Sequence, residues 1–283
     1  MVKDFVKFYI FKNMITSIQL SVIIVNYNGL TFLKECFNSL EDNLVGLSYE
    51  IIVVDNNSQD ESCNFIKNHF PKVKLIESNQ NLGFGKANNL GVKNAIGETI
   101  LLLNNDTIIL NNLTPAIETL YSKTEIGIVA INMLDANKKF LSAVGRFPKP
   151  LRLIKISFLN DQRKVFKTGN FNEVLYQVDW VSGSFMLMRK SDFETINGFD
   201  TDYFMYVEDV DLCKRLKIIG KKCVFQSNLN YVHFVGFNKS REIKLIEGYK
   251  LYSDKHFNFF NSIFAKICLT INHVYKKTVK NIC

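Results

Sequence analysis

Short apolar runs alternate with segments of helical spacing along the first half of the chain. Four runs predict strands, and the third alternates in polarity like a strand nearer a sheet edge: 21–27, 50–55, 72–77 and 99–104. Three segments place apolar residues on one helical face: 33–44, 65–70 and 84–96, the last with Gly97 just after its end. This alternation predicts a Rossmann-like α/β fold with a mostly parallel, doubly wound central sheet flanked by helices.

The second half is less regular. Residues 139–178 are mixed and basic and read as a loop excursion. Beyond them, a core strand and two helices are predicted, at 179–188, 191–196 and 209–219. Ser191 and Glu194 have the spacing of a capping box. With no linker visible, we predict an N-terminal extension, one α/β domain and a C-terminal basic, partly amphipathic helical appendage: 1–19, 20–250 and 251–283.

Polar side chains follow three of the predicted strands at their carboxyl ends, where an open α/β sheet binds its ligand. They are Asn26 and Tyr27 after the first strand, Asp55 and Asn57 after the second, and Asn104, Asn105 and Asp106 after the fourth. Helix caps and turns explain some of these residues. They explain less well why aspartate follows two buried strands, so we predict a ligand crevice here.

Several carboxylates could carry chemistry at this crevice. Asp106 could hold Mg²⁺ or Mn²⁺ against phosphate oxygens, since both ions favour oxygen ligands. Asp55 could accept a hydrogen bond from a base imide or a ribose hydroxyl. Glu208 and Asp209 lie at a predicted helix N-terminus, where carboxylates complement the helix dipole. Behind the aromatic stretch 203–206, one of them is also a candidate general base.

Other residues carry weaker signals. The Gly83-Phe-Gly85 loop opens a helix and could approach phosphate closely, although it is not a P-loop. Polar residues flank it: Asn81, Lys86 and Asn89. His233 is either a hydrogen-bonded core residue or a metal ligand, and Trp180 is either a core residue or a face for sugar stacking.

Six segments, taken in order, closely resemble the family 2 glycosyltransferases with the GT-A fold, and their rhamnosyltransferase-like branch in particular. They are VIIVNYNG (22–29), VVDNNSQDES (53–62), NLGFGKANN (81–89), LLNNDT (102–107), GSFMLMR (183–189) and YVEDVDLCKR (206–215). Each segment alone is weak evidence for the family. Six in the right order, over roughly residues 20–250, are a specific combination.

The resemblance implies inverting transfer of a sugar from a nucleoside diphosphate donor to a saccharide or lipid-linked acceptor in cell-surface polysaccharide synthesis. The expected donor is dTDP-rhamnose, with UDP-sugars next. Asp209 would be the general base, with Glu208 and Trp180 beside the acceptor. The implied donor site comprises Asn26, Tyr27, Asp55, Asn57, Asn81, Lys86, Asn89, Asn104 and Asn105.

The resemblance also implies a divalent metal, Mg²⁺ or Mn²⁺. Asp106 matches the metal-binding position of an Asp-x-Asp-type motif, and Asn104 and Asn105 occupy its other positions. That departure leaves a single acidic ligand in the motif. His233, in a His-x-x-Gly-x-Ser arrangement, resembles the C-terminal histidine that can complete such a site.

Composition limits the partners and the cellular location to be expected for this chain. With 35 Lys+Arg against 27 Asp+Glu, the net charge of +8 favours an anionic partner. Six scattered cysteines without a CxxC pair read as reduced thiols. No run of about 18 uncharged apolar residues occurs, so no transmembrane helix is predicted. No secretory signal is predicted either, because charged residues interrupt every candidate apolar core at the N-terminus: Lys3, Asp4, Lys7 and Lys12. We expect a cytoplasmic protein, peripheral on the inner face of the membrane, with Met1 or Met14 as its start.

Three other classes of protein fit the sequence less well than a transferase does. A nucleotidyltransferase of the same fold would carry a Gly-rich, basic loop after the first strand, and residues 26–29 lack it. A nucleic-acid-binding protein would cluster Lys and Arg with aromatics on one face, whereas the basic residues are spread out except at the C-terminus. An inactive relative would not be expected to keep Asp55, Asp106, Asp209 and His233 together.

Overall fold

A computed structural model of the chain describes residues 19–234 and 241–280. A mixed central sheet carries helices on both faces. The strands of this sheet are β1 Leu20–Asn26, β2 Tyr49–Asp55, β3 Lys74–Glu77, β4 Thr99–Asn104, β5 Thr107–Ile109, β6 Ile126–Leu134, β7 Phe140–Leu141, β9 Leu175–Val178, β11 Phe185–Arg189 and β12 Lys222–His233. Two further strands, β8 Val144–Gly145 and β10 Trp180–Val181, form a separate two-stranded sheet.

The helices alternate with the strands from β1 to β4 and less regularly beyond them. They are α1 Leu30–Asn43, α2 Ser62–His69, α3 Phe84–Lys93, α4 Thr114–Ser122, α5 Val165–Thr168, α6 Lys190–Thr195, α7 Glu208–Ile218, α8 Arg241–His256 and α9 Phe259–Lys280. Two short 3₁₀ helices, Pro150–Ile154 and Ile156–Leu159, lie within the segment predicted to be a loop excursion.

The sheet order is β3-β2-β1-β4-β11-β6-β12-β5, with β7 added to β6 and β9 to β12. Strands β3, β2, β1 and β4 run parallel, and β3 lies at the edge as its alternating sequence predicts. β11 runs antiparallel between β4 and β6, so the sheet is mostly but not wholly parallel. Two apolar clusters cover its opposite faces and exclude water from the strands.

Three local predictions were wrong. The strand predicted at 179–188 is broken into β10 and β11 by residues 182–184. Helix α6 begins at Lys190 without a side-chain cap, so Ser191 and Glu194 form no capping box. Gly97 does not end α3, which stops at Lys93. Instead, Gly97 lets the chain pass against β1, where its N–H donates to Ser21 Oγ at 2.9 Å.

The C-terminal helices pack on the domain as a hairpin. α9 buries Ala265, Cys268 and Leu269, and Asn272 Nδ2 donates to the carbonyl of Ile154 at 2.9 Å. No helix in the described part of the chain is long and apolar enough to cross a membrane. The five cysteines within those residues are free thiols, as predicted, while Cys283 lies outside them.

Candidate active site

Asn26 ties together the carboxyl ends of β1, β2 and β4. The residue is fully buried at the end of β1. Its Nδ2 lies 2.8 Å from Asp55 Oδ1, 3.1 Å from Ser58 Oγ and 2.9 Å from Ser62 Oγ. Its Oδ1 accepts from Asn105 Nδ2 at 2.8 Å. With every polar atom of the amide engaged, Asn26 positions its neighbours and has no atom left for a ligand.

The loop after β2 is held by Asn56, which sequence reasoning did not single out. Its Nδ2 donates to the carbonyl of Gly83 at 3.2 Å, and its Oδ1 accepts from the N–H of Leu82 at 2.8 Å. Asp55 beside it is 3% exposed and accepts from the N–H of Ser58 at 2.9 Å. Asn57 is exposed, with a left-handed φ of 66°. The Asp55 carboxylate therefore has a fixed orientation at the strand end.

The glycine loop packs against the segment that leads into α7. Gly83 has a φ of +77°, and a Cβ there would lie 2.3 Å from the carbonyl oxygen of Phe204. That oxygen accepts from the N–H of Phe84 at 3.0 Å, and Asn81 Oδ1 accepts from the N–H of Gly83 at 2.9 Å. Only glycine tolerates both this φ and this approach.

Two residues predicted to bind ligand form hydrogen bonds with the protein backbone instead. Asn89 donates to the carbonyl of Phe199 at 2.8 Å and accepts from its N–H at 2.9 Å, so its amide secures a turn. Trp180 donates its indole N–H to the carbonyl of Arg146 at 3.0 Å and lies over Gly145. The indole of this β10 residue thus packs against β8. By contrast, Lys86 is exposed, as is 52% of Tyr27.

Asp106 and His233 meet at the end of β4, although 127 positions separate them in the chain. Asp106 Oδ1 lies 3.2 Å from His233 Nε2, and Asn104 Nδ2 lies 3.2 Å from the same nitrogen. Cis ligands of an octahedral Mg²⁺ or Mn²⁺ with bonds of about 2.1 Å lie about 3.0 Å apart. The Asp106 and His233 pair therefore fits a divalent cation.

This pair would not saturate such a cation. No group of three or more His, Cys, Asp or Glu side chains suited to a metal occurs among residues 19–234 and 241–280. The remaining ligands would be water or phosphate oxygens, as is usual for Mg²⁺. A metal held this way is bound jointly by the protein and a diphosphate.

Asp209 is presented by a strained turn at the start of α7. Tyr206 and Val207 both have left-handed φ values, 72° and 74°, which are costly for these residue types. Asp209 Oδ2 accepts from the N–H of Gly183 at 3.0 Å, and Oδ1 accepts from the N–H of Val210 at 2.8 Å. Burial raises the pKa of Asp209, and these two donors act against the increase.

Glu208 faces the protein interior beside Asp209. It is 5% exposed, and its Oε2 has no hydrogen-bond partner within the described residues. Burial, and then the neighbouring Asp209 carboxylate, raise its pKa from 4.5 to about 8. Burial and the Asp209 charge thus favour the protonated form of Glu208, whereas the two backbone N–H donors favour the ionised form of Asp209, the form that can accept a proton.

A buried ion cluster fixes α7 from behind. Asp211, 1% exposed, accepts from Arg215 Nε at 2.7 Å and lies 2.7 Å from His256 Nε2 in α8. Arg215 Nη1 donates to the carbonyls of Ile196 and Gly198. Asp211 therefore belongs to the support of the site, unlike the two carboxylates that precede it.

Replacing Glu208 by Gln is expected to change how stability depends on pH. The folded-state pKa of Glu208 lies above its unfolded value, so its contribution is present below about pH 4.5 and is lost as pH rises through about 8. Glutamine does not titrate. The Tm of Glu208→Gln minus that of the wild type should therefore increase across this window in thermal melts.

The exposed Glu247→Gln substitution on α8 is the matched control, and its Tm difference should stay flat. A flat difference for Glu208→Gln as well would show that Glu208 is already ionised in the folded protein at neutral pH.

Comparison with known proteins gives a consistent result. The family model described as "Glycosyl transferase family 2" matches residues 21–196, and one described as "N-terminal domain of galactosyltransferase" matches 163–236. The chain is 32% identical to rhamnosyltransferase WbbL of Escherichia coli K12 over 224 residues, covering 75% of this chain and 82% of WbbL. It is 24% identical over 210 residues, 68% of each chain, to an N-acetylglucosaminyl-diphospho-decaprenol L-rhamnosyltransferase of Mycobacterium tuberculosis.

Solved structures share the GT-A fold at low identity. A mannosyltransferase of Pyrobaculum calidifontis, in complex with GDP-Man and Mn²⁺, superposes with a TM-score of 0.62 at 17% identity, covering 90% of this chain and 73% of that one. TarS 1–349 of S. aureus, in complex with UDP, gives 0.60 at 17%, covering 89% and 69%. The chain covers 39% of the longer TarS structure.

Proposed function

The chain belongs to glycosyl transferase family 2 as a rhamnosyltransferase-like member, and from this premise we propose that it transfers a sugar, with inversion, from a nucleoside diphosphate donor. One observation carries the proposal. The N–H of Asn104 donates to the carbonyl of Ser184 at 3.1 Å, and the adjacent Gly183 donates to Asp209. These bonds link the end of β4, which leads to Asp106, with the turn that holds Asp209. They support a crevice in which Asp106 would lie at the leaving group and Asp209 at the acceptor.

We propose dTDP-rhamnose as the donor, because the WbbL relative is named a rhamnosyltransferase. A UDP-sugar is the second candidate, because TarS is solved with UDP. Asp55, Asn57, Tyr27, Asn81 and Lys86 would contact the nucleotide. Asn26 and Asn105 would hold Asp55 and the β4 loop in place. Asn89 would support a turn, because both polar atoms of its amide are engaged. Trp180 would offer the acceptor its ring face, since its indole N–H is bonded to Arg146.

Asp106 and His233, with Asn104 beside them, would hold Mg²⁺ or Mn²⁺. When bound, the cation neutralises charge on the departing diphosphate. Asp209 accepts the proton of the acceptor hydroxyl. The acceptor oxygen bonds to the anomeric carbon as the bond from that carbon to the diphosphate oxygen breaks on the opposite side. One carboxylate base suffices for this in-line displacement, and the configuration at carbon inverts.

We further propose that the acceptor is a saccharide carried on a lipid, in cell-surface polysaccharide synthesis, and that the reaction takes place at the cytoplasmic face of the membrane. The mycobacterial relative supports this, since its name specifies a saccharide linked through diphosphate to decaprenol.

The proposal is tested by incubating the purified chain and Mn²⁺ with a panel of donors and a short-chain N-acetylglucosaminyl-diphospho-prenol. The donors are dTDP-rhamnose, UDP-glucose, UDP-N-acetylglucosamine and GDP-mannose. Release of dTDP that depends on the acceptor, with a product of inverted anomeric configuration by NMR, is the expected result. Release from a UDP-sugar alone would select the second donor, and a retained configuration would contradict the mechanism.

A further inference from the structure

α9 exposes an apolar stripe although its opposite face is already packed on the domain. Seven residues with 42–80% exposure form the stripe: Phe260, Ile263, Phe264, Ile267, Ile271, Val274 and Tyr275. At about 100° per residue they cover an arc of about 120°. Ala265, Cys268 and Leu269 are buried on the other side. The packing of α9 on the domain therefore leaves the apolar stripe exposed to water.

A second apolar patch adjoins the place where α9 docks. Leu151, Ile154 and Phe158, in the two 3₁₀ helices, are 66%, 40% and 46% exposed. Asn272 of α9 donates to the carbonyl of Ile154, so the two patches meet at this bond. Together, the stripe and this patch form what we call the C-terminal apolar surface. A surface of this extent on a water-exposed face indicates a binding partner.

The segments that carry the C-terminal apolar surface contain no acidic residue. Neither 136–160 nor 255–283 has an Asp or Glu, whereas the first includes six basic residues: Lys138, Lys139, Arg146, Lys149, Arg152 and Lys155. A groove of about 580 Å³ lies between α8 and α9. Lys250 and Lys266 line it together with Asp254, Thr270 and three isoleucines: Ile263, Ile267 and Ile271. Lys266 Nζ lies 2.6 Å from Asp254 Oδ1, so Asp254 offsets the charge of Lys266. Apolar side chains beside cations match the acyl chains and phosphates of anionic phospholipids.

We propose that the C-terminal apolar surface binds the interface of a bilayer that contains anionic phospholipid. Phenylalanine and isoleucine would enter the headgroup–acyl boundary, and the basic residues would contact lipid phosphates. A second copy of this chain fits less well, because a symmetric contact would bring together two faces on which basic residues outnumber acidic ones.

The surface reaches toward the crevice, because α9 runs back along α8. Lys276 Nζ lies 3.8 Å from Glu242 Oε1 in the first turn of α8, and Arg241 lies 5.8 Å from the Tyr206 ring, two residues before Glu208. A lipid-linked acceptor would thus arrive beside Asp209. This last step rests on the proposed function, whereas the binding of lipid does not.

Vesicle co-sedimentation of the full chain tests the proposal. Vesicles of phosphatidylcholine with one-third phosphatidylglycerol should bind the wild type, and pure phosphatidylcholine vesicles should bind it at least tenfold less. Phe260→Glu/Ile267→Glu should lower binding by about tenfold or more, and Lys149→Ala/Lys155→Ala by about fivefold for each lysine removed. Val45→Glu/Ile96→Glu, at similarly exposed apolar positions (69% and 68%), should bind like the wild type.

Two measurements keep the outcome unambiguous. Leu151→Glu disturbs the surface from the 3₁₀ side and should also weaken binding, which covers the case in which the α9 variant does not fold. No binding to either vesicle, or light scattering that shows a dimer lost in Phe260→Glu/Ile267→Glu, would overturn the proposal. Vesicle binding by Asp209→Asn separates the proposal from transfer activity, because lipid binding should persist there.

Discussion

Asp209→Asn is expected to lower kcat by about 10²–10⁴-fold, the range for loss of a general base. Nucleotide affinity should change little, because we propose that Asp209 contacts the acceptor and not the nucleotide. The reason is specific to this geometry. The Asp209 carboxylate accepts from two backbone N–H groups, and its raised pKa makes it a stronger proton acceptor than an ordinary aspartate. Steady-state kinetics with the transfer assay, and a titration of dTDP, provide the two readouts.

Glu208→Gln is the control for this substitution, since it removes the neighbouring carboxylate. Its effect on kcat should be much smaller. The reverse pattern, an active Asp209→Asn and an inactive Glu208→Gln, would reassign the base to Glu208. Because asparagine can accept only one of the two N–H groups, the Tm of Asp209→Asn must be recorded alongside its activity.

Asp106→Asn is expected to remove the metal dependence of nucleotide binding. Among the residues that the structure describes, Asp106 is the carboxylate that lies against His233 Nε2, and an amide is a much weaker ligand for a hard cation. Loss of the cation should cost several kcal/mol of stabilisation of the departing diphosphate, or about 10²–10³ in kcat. Asp42→Asn, at an exposed position on α1, should leave both quantities unchanged.

Where the signal is local, the sequence predicts this fold well. The strands β1, β2 and β4 are continuous apolar runs that are buried on both faces, and β3 alternates because it lies at the edge. The direction of β11 has no such local signal. A buried antiparallel strand, such as the one between β4 and β6, has the same continuous apolar sequence as a buried parallel strand. Its direction is therefore set by tertiary packing.

In the candidate active site, too, the features that depend on tertiary packing could not be predicted from local sequence. Asp106 and His233 were predicted to share a metal, and the structure brings them to 3.2 Å, but that prediction relied on family resemblance and not on spacing. Asn26 was predicted to contact the donor, yet both polar atoms of its amide are hydrogen-bonded to neighbouring side chains. Asn56 was missed because an asparagine after a strand looks like any turn residue. Its two bonds to the glycine loop depend on the tertiary fold.

The most direct test of the account is a thermal-shift titration of the wild type and Asp106→Asn with dTDP, UDP and GDP, with and without Mn²⁺. A ligand that binds the native state at 100 times its Kd stabilises it by about 2.7 kcal/mol. We predict a rise in Tm with dTDP that requires Mn²⁺ and disappears in Asp106→Asn. No shift with any nucleoside diphosphate, or the same shift in the variant, would contradict a metal-dependent donor site at Asp106.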